Sequence, residues 1–122
     1  MAGGNTKSID RFLDRVPRPG YNCFDFMREV WLYLKGEDLA DKFTGLIGDF
    51  ANRRLNLSAV KGLKHSSKPI ADPCFVVMQK KNCDPHCGVY LDGRILHMKE
   101  EGVEFQPPVV ARYYFRNLRY YV

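Results

Sequence analysis

The segment "CDPHCGVYLDGRILHM", residues 83–98, places two cysteines and two histidines close together in the chain. Side chains of these types bind zinc, form disulfides, or carry out nucleophilic and acid–base chemistry. Zinc sites usually show paired ligands at both ends of a loop, whereas Cys83 and Cys87 form one pair with no second pair downstream. The segment therefore disfavours a structural zinc ion, and the lack of a secretory signal disfavours a Cys83–Cys87 disulfide. Both alternatives stay open, because Cys83 is predicted to lie in a loop within reach of either histidine.

The dipeptide Asp92-Gly93 predicts a two-residue hairpin turn between two short strands. Side chains alternate between the two faces of each strand. One face then carries the apolar set Cys87, Val89, Leu91, Leu96 and Met98, and the other carries His86, Gly88, Tyr90, Ile95 and His97. The imidazoles of His86 and His97 are therefore diagonal neighbours on one face, predicted to be the polar side of the sheet, where Gly88 leaves room for the rings to approach.

A third group for this chemistry is Cys23, in the segment "YNCFDFMREVW". Asn22 is a predicted N-cap, so Cys23 falls in the first turn of a helix, where unpaired N–H groups and the helix dipole stabilise a thiolate. One imidazole can take the thiol proton and the second can orient the first. The alternative interpretation is that Cys23 is only a small buried apolar residue, which is also the prediction for Cys74 and Cys87.

The elements that must position these residues are helices first and strands afterwards. Ser8 is predicted to cap a short helix that stops at Pro17, and residues 1–7 a flexible arm. Helical spacing predicts a helix from Cys23 to Gly36 and a second helix through Leu39, Phe43, Leu46, Ile47 and Phe50. The apolar run "CFVVM" from Cys74, the hairpin and a tail broken at Pro107-Pro108 predict strands. The fold class predicted is α+β, with N-terminal helices packed on an antiparallel β-sheet, in one domain spanning residues 1–122.

The helix-leading cysteine, followed about sixty residues later by "HCGVYLDGRILHM", resembles the NlpC-type cell-wall peptidases. These are small papain-like cysteine peptidases, and the likeness is greatest to variants from phage tails. The resemblance implies a catalytic triad of Cys23 as nucleophile, His86 as general base and His97 as the orienting third member. The sequence differs from the family pattern at Asn22, where Asp is usual, and at Cys87, where valine is usual.

The resemblance also implies the substrate and the site around it. Family members cleave amide bonds in peptidoglycan stem peptides through an acyl-enzyme, so peptidoglycan or a muropeptide is the expected substrate. Neither a metal nor an organic cofactor is expected. The implied substrate-binding residues lie beside the nucleophile and on the hairpin: Tyr21, Phe24, Asp25 and Tyr90.

Composition and charge set the remaining expectations. The net charge of +5 is modest and scattered, and the arginine–tyrosine tail "RYYFRNLRYY" is explained by alternation along a half-buried strand, so no nucleic-acid partner is expected. No apolar run approaches the length needed to span a bilayer, so no membrane partner is expected either. The chain is expected to be made in the cytoplasm without a signal peptide and to act at the bacterial cell wall or in a phage tail, with phage-tail proteins or an inhibitor protein as candidate partners. The alternative function is a catalytically idle binding or structural module on the same scaffold.

Overall fold

The computed structural model of the protein describes residues 8–39, 65–82 and 85–121. Within these residues, a 3₁₀ turn at Asp10–Phe12 is followed by α1 (Cys23–Lys35) and the short α2 (Pro108–Ala111). The strands are β1 (His65–Ser66), β2 (Cys74–Lys80), β3 (Pro85–Leu91), β4 (Arg94–Lys99), β5 (Gly102–Gln106) and β6 (Phe115–Tyr121). They form one antiparallel sheet in the order β1-β6-β2-β3-β4-β5. The predicted α+β class with an antiparallel sheet is confirmed.

Three predictions fall outside the described residues. They are the flexible arm at residues 1–7, most of the second predicted helix, and the loop position of Cys83. Leu39, the first residue of that second helical pattern, is described and is fully buried.

Helix α1 begins and ends where the sequence predicts. The side chain of Asn22 accepts hydrogen bonds from the N–H groups of Phe24 and Asp25, and the Asp25 carboxylate accepts one in return from the N–H of Asn22. This reciprocal capping box stabilises a helix end by about 1 kcal/mol. The helix ends at Gly36, whose φ of 72° is the left-handed conformation that glycine adopts without strain. The cap therefore holds Cys23 at the first position of the helix.

The β3–β4 hairpin has the predicted register. Asp92 and Gly93 have φ values of 52° and 82°, as a tight two-residue turn requires. The residues paired across the two strands are Val89 with Leu96, Tyr90 with Ile95, and Leu91 with Arg94. The carboxylate of Asp72 accepts a hydrogen bond from the N–H of Asp92 and so ties the turn to the segment before β2. This register confirms the division of the hairpin into two faces.

Both faces of the sheet are buried, against two separate apolar cores. The helix-side core joins α1 to one face, and its members include Phe24, Met27, Trp31, Cys87, Val89, Leu96 and Met98. The C-terminal core covers the other face and consists of Cys74, Val76, Met78, Ile95, Ala111, Phe115, Leu118 and Tyr120. The face of His86 and His97 was predicted to be the polar side, and that prediction is wrong. The segment that forms α2 and the start of β6 brings Ala111 and Phe115 onto this face, and both imidazoles are buried.

The N-terminal helix is shorter than the sequence predicts. Only Asp10–Phe12 form a 3₁₀ turn, and the hydroxyl of Ser8 accepts a hydrogen bond from the N–H of Asp10 at 3.2 Å. Phe12 is buried, whereas Leu13 and Val16 remain about half exposed. A longer helix gains little here because those two side chains have no core to enter. Among the described helices, none is long and apolar enough to cross a membrane.

Candidate active site

The two predicted histidines meet in the interior. His86 Nε2 lies 2.9 Å from His97 Nδ1, and the rings are nearly perpendicular, at 82°. Both side chains are buried, with exposed fractions of 2% and 0%. The ring of Phe115 stacks on His86 with centroids 4.6 Å apart and meets His97 edge-on at 5.5 Å. The predicted pairing is therefore present, and an aromatic ring from β6 holds both imidazoles in place.

The close approach of the histidines depends on Gly88. A Cβ atom at this position would lie 2.6 Å from the carbonyl oxygen of Leu96 and 2.9 Å from Cβ of His97. Real Cβ atoms essentially never show such contacts. Strands β3 and β4 can therefore lie at their present distance only with glycine at this position.

The chain of contacts extends beyond the histidines to two residues of β5 that sequence reasoning missed. His97 Nε2 lies 2.9 Å from Oε1 of Gln106, and Nε2 of Gln106 donates to Oε2 of Glu104 at 3.0 Å. The ammonium of Lys99 lies 2.6 Å from the other oxygen of Glu104. A signal was present in the sequence: with Lys99–Gly102 taken as a turn, alternation along "GVEFQ" places Glu104 and Gln106 on one face.

The Cys23 thiol is partly exposed and contacts residues from both faces of the hairpin. A hydrogen bond from the Cys87 side chain, followed by a hydrogen bond and favourable charge from His86, holds the pKa of Cys23 well below its usual value against the opposing effect of burial. Burial raises the pKa of Cys87 well above the usual value, so Cys87 keeps its proton and donates. Cys23 is therefore the thiol that ionises. Burial raises the pKa of Cys74 as well, so that residue behaves as the core residue predicted.

His97 is poised to stay neutral. Burial, followed by the neighbouring charge of His86, lowers the pKa of His97 to about 4, although its hydrogen bond to Gln106 opposes the shift. A neutral imidazole has one donor and one acceptor nitrogen. At neutral pH it can therefore orient His86 without competing with it for a proton.

A pocket of about 890 Å³ opens where β3 begins and β4 ends. Cys23 and His86 both line it, as does Tyr114, whose side chain is half exposed. Its other walls carry charge, with Lys80 at the end of β2, Lys81 in the turn that follows, and Glu100 and Glu101 in the β4–β5 turn. The thiol and its imidazole partner therefore face a cavity large enough for a peptide segment.

None of the four predicted substrate-binding residues is among the described residues that line this pocket. Phe24 is 1% exposed and belongs to the helix-side core. Asp25 completes the helix cap. The hydroxyl of Tyr21 hydrogen-bonds to Glu29, and burial, with this bond, raises the pKa of Tyr21 to about 12. Tyr90 packs edge-on against Tyr120 beside the C-terminal core.

The described residues do not gather a metal-binding cluster. Within 8–39, 65–82 and 85–121, no group of three or more His, Cys, Asp or Glu side chains has the arrangement to hold an ion. Strand β3 runs unbroken through His86 and Cys87, which point to opposite faces. The residues brought together are those of thiol chemistry.

Comparisons with known proteins do not assign the chain to a family. No family model matches it. No curated protein and no solved structure matches it either. The functional argument therefore depends on the geometry of the site.

Proposed function

We propose that the protein is a cysteine hydrolase that cleaves amide bonds in peptidoglycan stem peptides, with Cys23 as nucleophile, His86 as general base and His97 as the orienting member. The observation that carries the proposal is the position of His86. One ring nitrogen lies 2.9 Å from His97, and the ring also contacts the Cys23 thiol, which borders an open pocket. A nucleophile, a base and a group that orients the base are the parts that thiol acyl transfer requires.

Attack by the Cys23 thiolate on the substrate carbonyl places negative charge on the carbonyl oxygen. The helix cap leaves a donor for that charge, because Asn22 accepts from the N–H groups of Phe24 and Asp25 and not from that of Cys23. The N–H of Cys23 therefore remains at the positive end of α1, beside the sulfur. This donor fits the role of an oxyanion hole.

His86 carries the proton through both halves of the reaction. The proton that it takes from Cys23 passes to the leaving amine as the C–N bond breaks and the thioester forms. The neutral imidazole then removes a proton from water, and the hydroxide attacks the thioester. The released thiolate and the protonated His86 restore the starting ion pair, so the cycle consumes one water and one amide bond.

Fold and charge support the same proposal. A helix that leads with cysteine and packs on an antiparallel hairpin is the arrangement expected of a papain-like NlpC-type fold. Lys80 and Lys81 on the pocket wall complement the carboxylates of a stem peptide. The site of action proposed is the bacterial cell wall or a phage tail. A tail protein or an inhibitor is a proposed partner.

The test is digestion of purified peptidoglycan, with the new termini identified by mass spectrometry. Cys23→Ala and His86→Ala should abolish cleavage, and His97→Ala should reduce it less, because it acts through His86. Cys74→Ala removes a buried thiol from the C-terminal core and is the matched control. Cleavage by Cys23→Ala at the parental rate would rule out the mechanism. A parent protein that binds muropeptide without cleaving it would instead establish the binding module.

A further inference from the structure

We propose that Gln106 and Glu104 are positioning residues that fix the proton positions of both histidines, so that Nδ1 of His86 is the nitrogen that exchanges a proton with Cys23. The inference rests on the proposed function in one respect: the proposed function gives this arrangement its catalytic role. The arrangement itself follows from four contacts in a row, running from Lys99 through Glu104, Gln106 and His97 to His86.

The row starts from a group that can only accept. The carboxylate of Glu104 forms an ion pair with the ammonium of Lys99 at 2.6 Å. An ionised carboxylate has no proton to donate, so the atom of the Gln106 amide that faces it must be the nitrogen. The two atoms lie 3.0 Å apart. The amide oxygen of Gln106 is thereby turned toward His97.

The orientation of this amide determines the proton on each imidazole. Oε1 of Gln106 is an acceptor, so Nε2 of His97, 2.9 Å away, must carry the proton. Neutral His97 then has a bare Nδ1, which accepts from Nε2 of His86 at 2.9 Å. With its Nε2 proton committed, neutral His86 has only Nδ1 free to take the proton of Cys23. Each donor in the row thus faces one acceptor. The donor and acceptor roles cannot be exchanged at any of these hydrogen bonds.

Strand geometry explains why these residues meet. His97 and Lys99 alternate along β4 on one face of the sheet, and Glu104 is the register partner of His97 on β5. Gln106 lies two residues further along β5 and therefore on the same face as Glu104. Val103 and Phe105, which alternate with Glu104 and Gln106 along β5, pack against the helix-side core on the other face. The row therefore crosses three adjacent strands, from β5 through β4 to His86 on β3.

The test uses three variants and a matched control. Gln106→Leu and Glu104→Leu remove the fixed acceptor, whereas Glu104→Gln retains a carbonyl oxygen for the Gln106 amide. Gln79→Leu is the control, because Gln79 is a glutamine on β2 whose side-chain oxygen accepts a hydrogen bond from Asn117 at the surface. Long-range ¹H–¹⁵N spectra report which nitrogen of each histidine carries the proton. Iodoacetamide alkylation of Cys23 reports reactivity without any substrate.

In the parent protein at neutral pH, His97 should be protonated at Nε2 only. In Gln106→Leu and Glu104→Leu, His97 should show both tautomers, and alkylation of Cys23 should slow about tenfold, with kcat lowered about 10- to 100-fold and KM little changed. Glu104→Gln should recover most of this loss. A parental His97 protonated at Nδ1, or a Gln106→Leu variant indistinguishable from Gln79→Leu, would overturn the inference. If spectra and alkylation behave as expected but peptidoglycan is not cleaved, the positioning role stands and the proposed function fails.

Discussion

Replacing Gly88 by alanine is the sharpest perturbation that the structure offers, because one methyl group acts on both stability and the histidine pair. The added Cβ would lie 2.6 Å from the Leu96 carbonyl oxygen, where ordinary van der Waals contact starts at 3.4 Å, a shortfall of 0.8 Å. The second contact, 2.9 Å to Cβ of His97, is also too short. Backbone and Cβ atoms cannot turn aside as the end of a flexible side chain can. Relief therefore requires β3 and β4 to move apart.

The magnitude follows from this geometry. Forcing an extra methyl into a packed interior costs about 1–3 kcal/mol, and we expect the free energy of unfolding to fall by that amount. The hydrogen bond between His86 Nε2 and His97 Nδ1 starts at 2.9 Å. An increase of only about 0.3 Å brings it to the normal upper limit of about 3.2 Å, and any further increase breaks it. Cys23 should then lose much of its reactivity, because its imidazole partner is no longer held in place.

Two measurements check this prediction: urea unfolding for stability and iodoacetamide alkylation for the reactivity of Cys23. The control is Gly36→Ala, where the added Cβ meets nothing within 4 Å but the φ of 72° is strained for alanine. That variant should lose about 1 kcal/mol of stability and keep the reactivity of Cys23. A Gly88→Ala protein with parental stability and parental alkylation would refute the reasoning.

Three further predictions follow from the electrostatics of the site. Cys87→Val should raise the pKa of Cys23 toward its ordinary value, because the thiolate loses the hydrogen bond from Cys87, and the pH profile of alkylation should move to higher pH; an unmoved profile would contradict this. A histidine has a pKa of about 6.5 in the unfolded chain, whereas the pKa of His97 in the folded protein is about 4. As the pH falls, the unfolded chain therefore binds this proton first. The free energy of unfolding should keep its full value above pH 6.5 and decline by about 3 kcal/mol down to pH 4. In His97→Gln, urea unfolding should show that the free energy of unfolding lacks this decline between pH 6.5 and 4. The same pH dependence in the parent and in His97→Gln would contradict the prediction. The double variant Lys80→Gln/Lys81→Gln should raise KM for muropeptides about two- to fivefold with kcat little changed, and an unchanged KM in steady-state assays would remove these lysines from substrate binding.

The hairpin and the helix cap could be predicted because both depend on local chemistry. Asp92-Gly93 sets a turn and thereby a register, and the register alone decides that His86 and His97 share a face. Asn22 and Asp25 set the start of α1, which decides that Cys23 leads the helix. The same register places Gly88 where the two strands approach closely, beside the Leu96 carbonyl oxygen and Cβ of His97.

The burial of the histidines could not be predicted, since it depends on contacts between segments far apart in the chain. Phe115 reaches His86 only because β6 pairs with β2 and the chain turns at α2, and no local pattern carries that information. Gln106 and Glu104 were missed because their role depends on β5 pairing with β4 in one particular register. The pocket is likewise lined by turns from separate parts of the chain. The substrate-binding residues implied by the resemblance are therefore not among the residues that line it.

The central claim is that Cys23 is a thiolate stabilised by His86, and its most direct test is the pH dependence of alkylation at each cysteine. Peptide mass spectrometry after iodoacetamide treatment would give separate rates for Cys23 and for Cys74 in the folded protein. Cys23 should react well below the ordinary thiol pKa of about 8.5 and Cys74 only above it, and His86→Ala should move the Cys23 profile upward. A Cys23 that titrates near 8.5 with or without His86 would contradict the account.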